Sequence, residues 1–174
     1  MEKEIVLKEF DLNSSDYLEQ IAKLYVHCFN DEDKGENWTL ETSIAYFRER
    51  ESEGSLFFGA FEDGLLKSVV VGSKFQDSFI SKELPELERQ DDFYISLIAT
   101  EKKFRGKGYS SKLMNYLFEQ LAVKNFKTSS VRCRHDNKPV QNLLKRYNYV
   151  EIHSYESQLG GVTCRRLVLA RETI

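Results

Sequence analysis

The chain has 174 residues, 41% of them hydrophobic and 30% charged, which is enough for one compact domain but not comfortably for two. Its 25 Lys and Arg against 28 Asp and Glu give a formal net charge of -3, which argues against a generally basic nucleic-acid binder. The N-terminus is acidic, and no apolar run approaches the roughly 20 residues that span a bilayer. We therefore predict no secretory signal, no membrane helix and a cytoplasmic location.

The first half of the chain predicts two helices and an antiparallel pair of strands. Alternating apolar residues indicate strands, and apolar residues at helical spacing indicate helices. Asp63-Gly64 is typical of a tight hairpin turn. The predicted elements are a strand from Ile5 to Phe10, a helix that ends near Phe29, a helix that Thr39 caps and Gly54 ends, and strands from Ser55 to Phe61 and from Leu65 to Phe75.

The second half predicts a strand, a helix and a strand, then another helix and a closing hairpin. The first three form a crossover unit, which requires its two strands to be parallel if they share a sheet. A polar stretch from Gln76 to Asp92 precedes them. The predicted elements are strands from Phe93 to Thr100 and from Thr128 to Arg134, a helix between them that ends near Asn125, a helix from Asn137 to Tyr147, and strands from Val150 to Ser157 and from Val162 to Arg171.

The turn from Lys102 to Lys112 carries five cations and no acid where a strand leads into a helix. Gly106 and Gly108 lie within it, and glycine lets the backbone approach a ligand closely. The N–H groups and the dipole at the start of a helix favour an anion. The pattern predicts a phosphate-binding turn, and a solvated charged surface is the alternative.

Two common nucleotide motifs do not account for this turn. The chain contains no G-x-x-x-x-G-K-[ST] sequence, and the segment from Gly106 to Ser111 lacks the third glycine of G-x-G-x-x-G. Neither motif therefore identifies the phosphate ligand.

The segment from Arg105 to Ser110 resembles the [QR]-x-x-G-x-[GA] signature of the GNAT superfamily of acyl-CoA-dependent N-acetyltransferases. Ile98-Ala99-Thr100 is similar to the end of that family's fourth strand. Asn137 together with Leu143 to Tyr149 is similar to its later N-x-x-A-x-x-L-Y-x-K-x-G-F stretch. The predicted order of elements from Ile5 to Arg171 is also the family's order.

The resemblance implies an α/β fold of the GNAT type, a single domain over residues 1–174. Its mixed, mostly antiparallel sheet would have strands four and five parallel, with flanking helices. The implied activity is transfer of an acetyl group from acetyl-CoA to a primary amine of a small molecule or peptide. In this family the pyrophosphate lies on the amides of the turn, pantetheine pairs with strand four, and the thioester enters a splay between strands four and five.

The resemblance also implies which residues bind the cofactor and which one is catalytic. Asp92, thirteen residues ahead of Arg105, corresponds to the general base of histone-type members. A polar strand entry is the alternative for Asp92, and His135, Tyr147 or a water molecule are other candidates for the base. The residues implied for coenzyme A binding are Ile98, Ala99, Thr100, Arg105, Gly106, Lys107, Gly108, Tyr109, Ser110 and Asn137.

Three positions depart from the family pattern. Ser110 replaces Gly or Ala, and Asn148 replaces a Gly, which Asn can do because it tolerates a left-handed conformation. Leu144 stands where many members have the Tyr that protonates the thiolate. The alternative function is therefore a non-catalytic acyl-CoA sensor or partner-binding module.

The remaining predictions concern metals and partners. Cys28, Cys133 and Cys164 form no C-x-x-C pair and complete no zinc spacing with the histidines, so we predict reduced thiols and no metal. The chain outside the basic turn is acidic, which predicts an amine acceptor and no nucleic acid. The acidic loop from Asp31 to Glu36 either recruits a cationic acceptor or is only solvated. The sequence is compatible with a homodimer.

Overall fold

A computed structural model describes residues 3–14, 16–30 and 35–173. The described helices and strands confirm the order predicted from the sequence, with one short helix added before the fourth strand. They are β1 (Ile5–Phe10), α1 (Tyr17–Phe29), α2 (Leu40–Ser52), β2 (Leu56–Glu62), β3 (Leu65–Lys74), α3 (Phe79–Glu83), β4 (Asp92–Thr100), α4 (Tyr109–Val123), β5 (Thr128–Arg134), α5 (Lys138–Arg146), β6 (Val150–Leu159) and β7 (Val162–Glu172).

The seven strands form one mixed sheet in the order β1-β2-β3-β4-β5-β7-β6. Every neighbouring pair is antiparallel except β4 and β5, which are parallel and joined through α4. Strands that run in the same direction need such a crossover connection. The structure thus confirms the predicted α/β fold, with its mostly antiparallel sheet and its parallel pair of central strands.

Helices cover both faces of the sheet. The face covered by α4 and α5, which we call the α4 face, buries Phe93 and Ile95 of β4 against α4 residues such as Leu113 and Leu117. The opposite face, the α1 face, buries Leu97 of β4 beneath α1 and α2. The short helix α3 packs near Tyr94. Because both faces are buried, β4 consists almost entirely of apolar residues.

Three residues with positive φ occupy predicted turn positions. Asp63 and Gly64, with φ of 53° and 75°, connect β2 to β3 as the hairpin signature predicts. Asn148, with φ of 61°, follows α5 in the left-handed conformation expected where relatives carry glycine.

The strands β4 and β5 pair over only part of their length. The parallel pairing runs from Asp92 with Thr128 to Ile95 with Val131 and then stops. At that point the register of β3 with β4 also shifts, so Ser96 is an extra residue of β4. Such a bulge increases strand twist and bends the strand. Residues 96–100 of β4 and 132–134 of β5 therefore flank an opening, which we call the β4–β5 gap.

Gly72 of β3 accommodates this irregular stretch. A Cβ atom at Gly72 would lie 2.4 Å from the Tyr94 carbonyl oxygen and 2.5 Å from a ring carbon of Phe93.

We expect Gly72→Ala to lower the free energy of unfolding by about 1–3 kcal/mol, since neither neighbour can move without disturbing the sheet. Denaturant unfolding measures this loss. The control Val123→Ala, at a position that is 76% exposed, should change stability by about 0.5 kcal/mol or less. Equal stability of Gly72→Ala and the parent chain would contradict the packing described.

Candidate functional site

The basic turn presents backbone N–H groups to solvent. Gly106 and Gly108 have φ of 73° and 82°, and a Cβ atom at either position would meet nothing within 4 Å. The first N–H bond inside α4 runs from Lys112 to the Gly108 carbonyl, so the N–H groups of residues 109–111 have no acceptor within the helix. Open space in front of these amides and the helix dipole fit an anionic ligand.

Cations gather around the ring of Phe104, next to these amides. The ammonium groups of Lys67, Lys103 and Lys107 lie 4.6, 5.6 and 5.2 Å from the ring centroid. Lys67 comes from β3 and is 7% exposed, so it adds a charge that the sequence analysis missed. The sequence signal for Lys67 was a Lys in the mostly apolar first part of the predicted strand. Glu101 reduces the positive charge, because its carboxylate lies 3.1 Å from Lys103 and 3.9 Å from Lys67.

The end of β4 offers an unpaired backbone edge beside this turn. Ile98, Ala99 and Thr100 pair with β3 on one side and have no partner in β5 on the other. Such an edge can form hydrogen bonds with an extended ligand. The Thr100 carbonyl accepts hydrogen bonds from Arg105 Nε, at 3.1 Å, and from Cys28 Sγ, at 3.4 Å. Arg105 thereby joins the turn to the strand end.

Two of the predicted cofactor residues use their side chains within the fold. The Tyr109 side chain is buried and its hydroxyl donates to Glu62, so only the Tyr109 backbone faces the turn. Asn137 caps α5, where its Oδ1 atom accepts the N–H of Val140 at 3.3 Å. Asn137 lies just beyond the end of β5, on the border of the β4–β5 gap.

Asp92 lies at the other end of β4, inside the paired segment. It is 2% exposed, and its carboxylate accepts hydrogen bonds from Arg89 at 3.0 Å, from Thr128 at 2.5 Å and from Ser130. Three residues of β4 separate it from the bulge at Ser96. These contacts join β4 to β5, and they use the oxygen atoms that a general base would need for a proton.

The other positions considered for proton transfer differ in their surroundings. Leu144 is fully buried in the core of the α4 face, so no ionisable group lies at its position. The Tyr147 hydroxyl donates to the Ser111 carbonyl of α4 at 2.9 Å. His135 is exposed just after β5, and its backbone N–H bonds to the Arg165 carbonyl.

The thiols of Cys28 and Cys133 lie near the gap and are protonated near neutral pH. Burial raises the pKa of Cys133, at the end of β5, to about 11, and burial also raises the pKa of Cys28. A thiol acts as a nucleophile only as its thiolate. Neither cysteine is therefore suited to accept an acyl group near neutral pH.

Part of the acidic loop lies outside the described residues, namely residues 31–34. Glu36, at its end, accepts the indole N–H of Trp38. Within the described residues, no cluster of three or more His, Cys, Asp or Glu side chains could hold a metal ion. In the same part of the chain, no helix is long and apolar enough to cross a membrane.

Comparison with known sequences identifies a family. The sequence model of the Acetyltransferase (GNAT) family matches residues 18–149, about three quarters of the chain. No match to a curated protein was found.

Solved structures with the same architecture include N-acetyltransferases. The ribosomal-protein-S18-alanine N-acetyltransferase from Escherichia coli is 13% identical, with a TM-score of 0.72 over 98% of this chain and 94% of that chain. Ard1 from Thermoplasma volcanium is 18% identical, with a TM-score of 0.68 over 98% of each chain. An N-acetyltransferase from Staphylococcus aureus Mu50 is 14% identical, with a TM-score of 0.70 over 98% and 99%. At such low identities the similarity concerns the fold alone.

The turn glycines give a direct test of anion binding. Gly108→Leu places a side chain in the open space before the amides and strains a residue with φ of 82°. We expect the dissociation constant for acetyl-CoA, measured by calorimetry, to rise about tenfold or more through loss of one or two charge-assisted hydrogen bonds. The matched control is Gly64→Leu, since Gly64 has φ of 75° and equally open surroundings in the β2–β3 turn. If both variants bind acetyl-CoA as the parent does, the phosphates lie elsewhere.

Proposed function

The chain belongs to the GNAT acetyltransferase family, and we propose that it transfers an acetyl group from acetyl-CoA to the primary amine of a small molecule or peptide. The observation that carries this proposal is the β4–β5 gap. Its unpaired β4 edge ends beside a turn whose amides and cations suit phosphate. One continuous path thus suits both the peptide-like arm and the phosphates of coenzyme A.

Each part of the path would hold a different part of acetyl-CoA. The amides of residues 106–111, with Arg105 and Lys107, would bind the pyrophosphate. The backbone of residues 98–100 would pair with the amides of pantetheine, as a short added strand does. Asn137 at the far border of the gap would contact the same arm. The thioester would then lie between β4 and β5.

The transfer removes one proton from the amine and replaces a C–S bond with a C–N bond. The amine nitrogen attacks the thioester carbon, a C–N bond forms, the C–S bond breaks, and the amine loses a proton while coenzyme A leaves as thiolate or thiol. An amine with a pKa near 10 is neutral in only about one molecule in a thousand at pH 7. Deprotonating the amine is therefore the step that most needs help.

The thiolate needs less help in departing. A thiol with a pKa near 8.5, as in cysteine, is a good leaving group near neutral pH. Turnover therefore does not require a proton donor at position 144, which the buried Leu144 occupies. The neutral thiols of Cys28 and Cys133 favour direct transfer to the amine over an acyl-enzyme intermediate.

A thiol-release assay with a panel of amines, and with acetyl-CoA alone as the hydrolysis control, distinguishes an enzyme from a sensor. We expect purified protein to release thiol from acetyl-CoA in the presence of a suitable amine. The rate should rise about tenfold per pH unit below the amine pKa if water alone accepts the proton. Gly108→Leu should reduce the release, and Gly64→Leu should not. Tight acetyl-CoA binding without thiol release for any amine would instead support the non-catalytic sensor, which the missing Tyr at position 144 suggests.

The role of Asp92 as general base stays a prediction, and its surroundings favour a structural role as the alternative. If Asp92 is the general base, Asp92→Asn should lower turnover about a hundredfold at neutral pH, and turnover should recover at alkaline pH. The three hydrogen bonds from Arg89, Thr128 and Ser130 lead us to expect a different result. We expect a loss of about 1–3 kcal/mol of stability and near-parental turnover of the folded fraction.

Asp91→Asn is the matched control for this measurement. Asp91 precedes Asp92, has an exposed side chain and pairs with Lys127 at 3.1 Å. Its substitution should change neither stability nor turnover appreciably, because exposed ion pairs contribute little. A hundredfold loss of turnover in Asp92→Asn with unchanged stability would assign the base to Asp92.

A further inference from the structure

Three arginines line the α1 face of the sheet beside the β4–β5 gap. Arg132 and Arg134 are alternate residues of β5, past the point where β5 leaves β4. Arg166 of β7 lies directly opposite Arg134 in the antiparallel register. The side chains of Arg132 and Arg134 are only 20% and 16% exposed, and Arg166 is half-buried. We call these three residues the arginine row.

Among the described residues, one cation of the arginine row has no counterion. Arg132 pairs with Glu83 at 2.8 Å, and Arg134 pairs with Asp136 at 3.1 Å. Arg166 bonds only to the Ser157 hydroxyl, through Nε at 2.9 Å, and no carboxylate of the described residues lies within 4.0 Å of it. Like charges directly opposite each other on neighbouring strands are destabilising. The fold therefore retains a pair of like charges. Asp136 occupies Nε and Nη2 of Arg134, so the Nη atoms of Arg166 are the main groups that can bind an anion.

Described residues of the α1–α2 loop and of the β6–β7 turn lie close together. The end of α1 lies next to the end of β4, as the bond from Cys28 to the Thr100 carbonyl shows. In the described part of the α1–α2 loop, a Cβ atom at Gly35 would lie 1.9 Å from the Leu159 carbonyl oxygen of the β6–β7 turn. Beside this close contact an extended peptide has less room than a small molecule.

We propose that the amine acceptor is a small molecule that carries a carboxylate or phosphate group, and that Arg166 with Arg134 binds this group. The proposal rests on the proposed acetyl transfer and adds the chemical class of the acceptor. Acetyl-CoA would enter the gap along the β4 edge, and the acceptor would approach from the α1 face. A guanidinium pair holds either anion in two-point contact, so both anions fit.

Matched amines and two neighbouring arginines test the proposal. The amines are ethanolamine against O-phosphoethanolamine, and a panel of amino acids against their carboxamides and decarboxylated amines. The variants are Arg166→Gln, Arg166→Lys and the control Arg165→Gln. Arg165 is the adjacent residue, exposed on the opposite face of β7, and it bonds to Ser154. The measurements are KM and kcat for each amine, KM for acetyl-CoA, and the melting temperature.

We expect the anionic amines to be preferred and Arg166→Gln to raise their KM about tenfold or more, the loss of one charge-assisted contact. In Arg166→Gln, neither the KM of acetyl-CoA nor the rate with neutral amines should change. Arg166→Lys should recover part of the affinity for anionic amines. Arg165→Gln should match the parent in every measurement. The melting temperature of Arg166→Gln should equal or exceed that of the parent, because a repulsion is removed. Preference for carboxylate or for phosphate would identify the anion.

The unfavourable outcomes are distinguishable. If thiol is released equally well with neutral and anionic amines and Arg166→Gln changes no KM, acetyl transfer stands and the anionic acceptor is wrong. A lower melting temperature of Arg166→Gln with unchanged KM would give Arg166 a structural role and would also overturn the proposal. If no amine releases thiol, acetyl transfer and the acceptor proposal both fail.

Discussion

The short parallel pairing of β4 with β5 is the constraint on which the rest of the site depends. The two strands share backbone hydrogen bonds only as far as Ile95 and Val131, and the bulge at Ser96 coincides with their separation. Parallel strands inside a sheet normally satisfy each other's backbone groups along their whole length. Here the unpaired edge lies where a ligand with its own amides could complete it. The fold thus leaves incomplete the sheet edge at which the reaction is proposed to take place.

Local charge, rather than net charge, explains how an acidic chain could bind a polyanionic cofactor. The cations of the turn converge with Lys67 around Phe104, next to amides that have no intrahelical acceptor. On the opposite face of the sheet, the arginine row faces the same gap. Two positively charged regions therefore approach the gap from different sides, which allows two anionic substrates to meet without overlapping.

Much of the fold could be predicted because its signals are local. The bounds of β1 and β5 match the alternating patterns, and Asp63-Gly64 and Thr39 act as the turn and cap residues that their chemistry predicts. The helix α3 was missed because its five residues span barely more than one turn. The arginine row, the position of Lys67 and the partners of Asp92 depend on strand register, which joins residues distant in sequence. No local pattern contains that information.

Amide hydrogen exchange, measured with and without acetyl-CoA, tests the central claim most directly, because that claim concerns backbone N–H groups. In the free protein, amides of residues 106–111 and of the unpaired side of residues 96–100 should exchange quickly, since no protein acceptor protects them. Saturating acetyl-CoA should slow exchange in both segments and leave the paired segment of β4, from Asp92 to Ile95, unchanged. Protection confined to other parts of the chain, or no change in either segment, would contradict the cofactor path described.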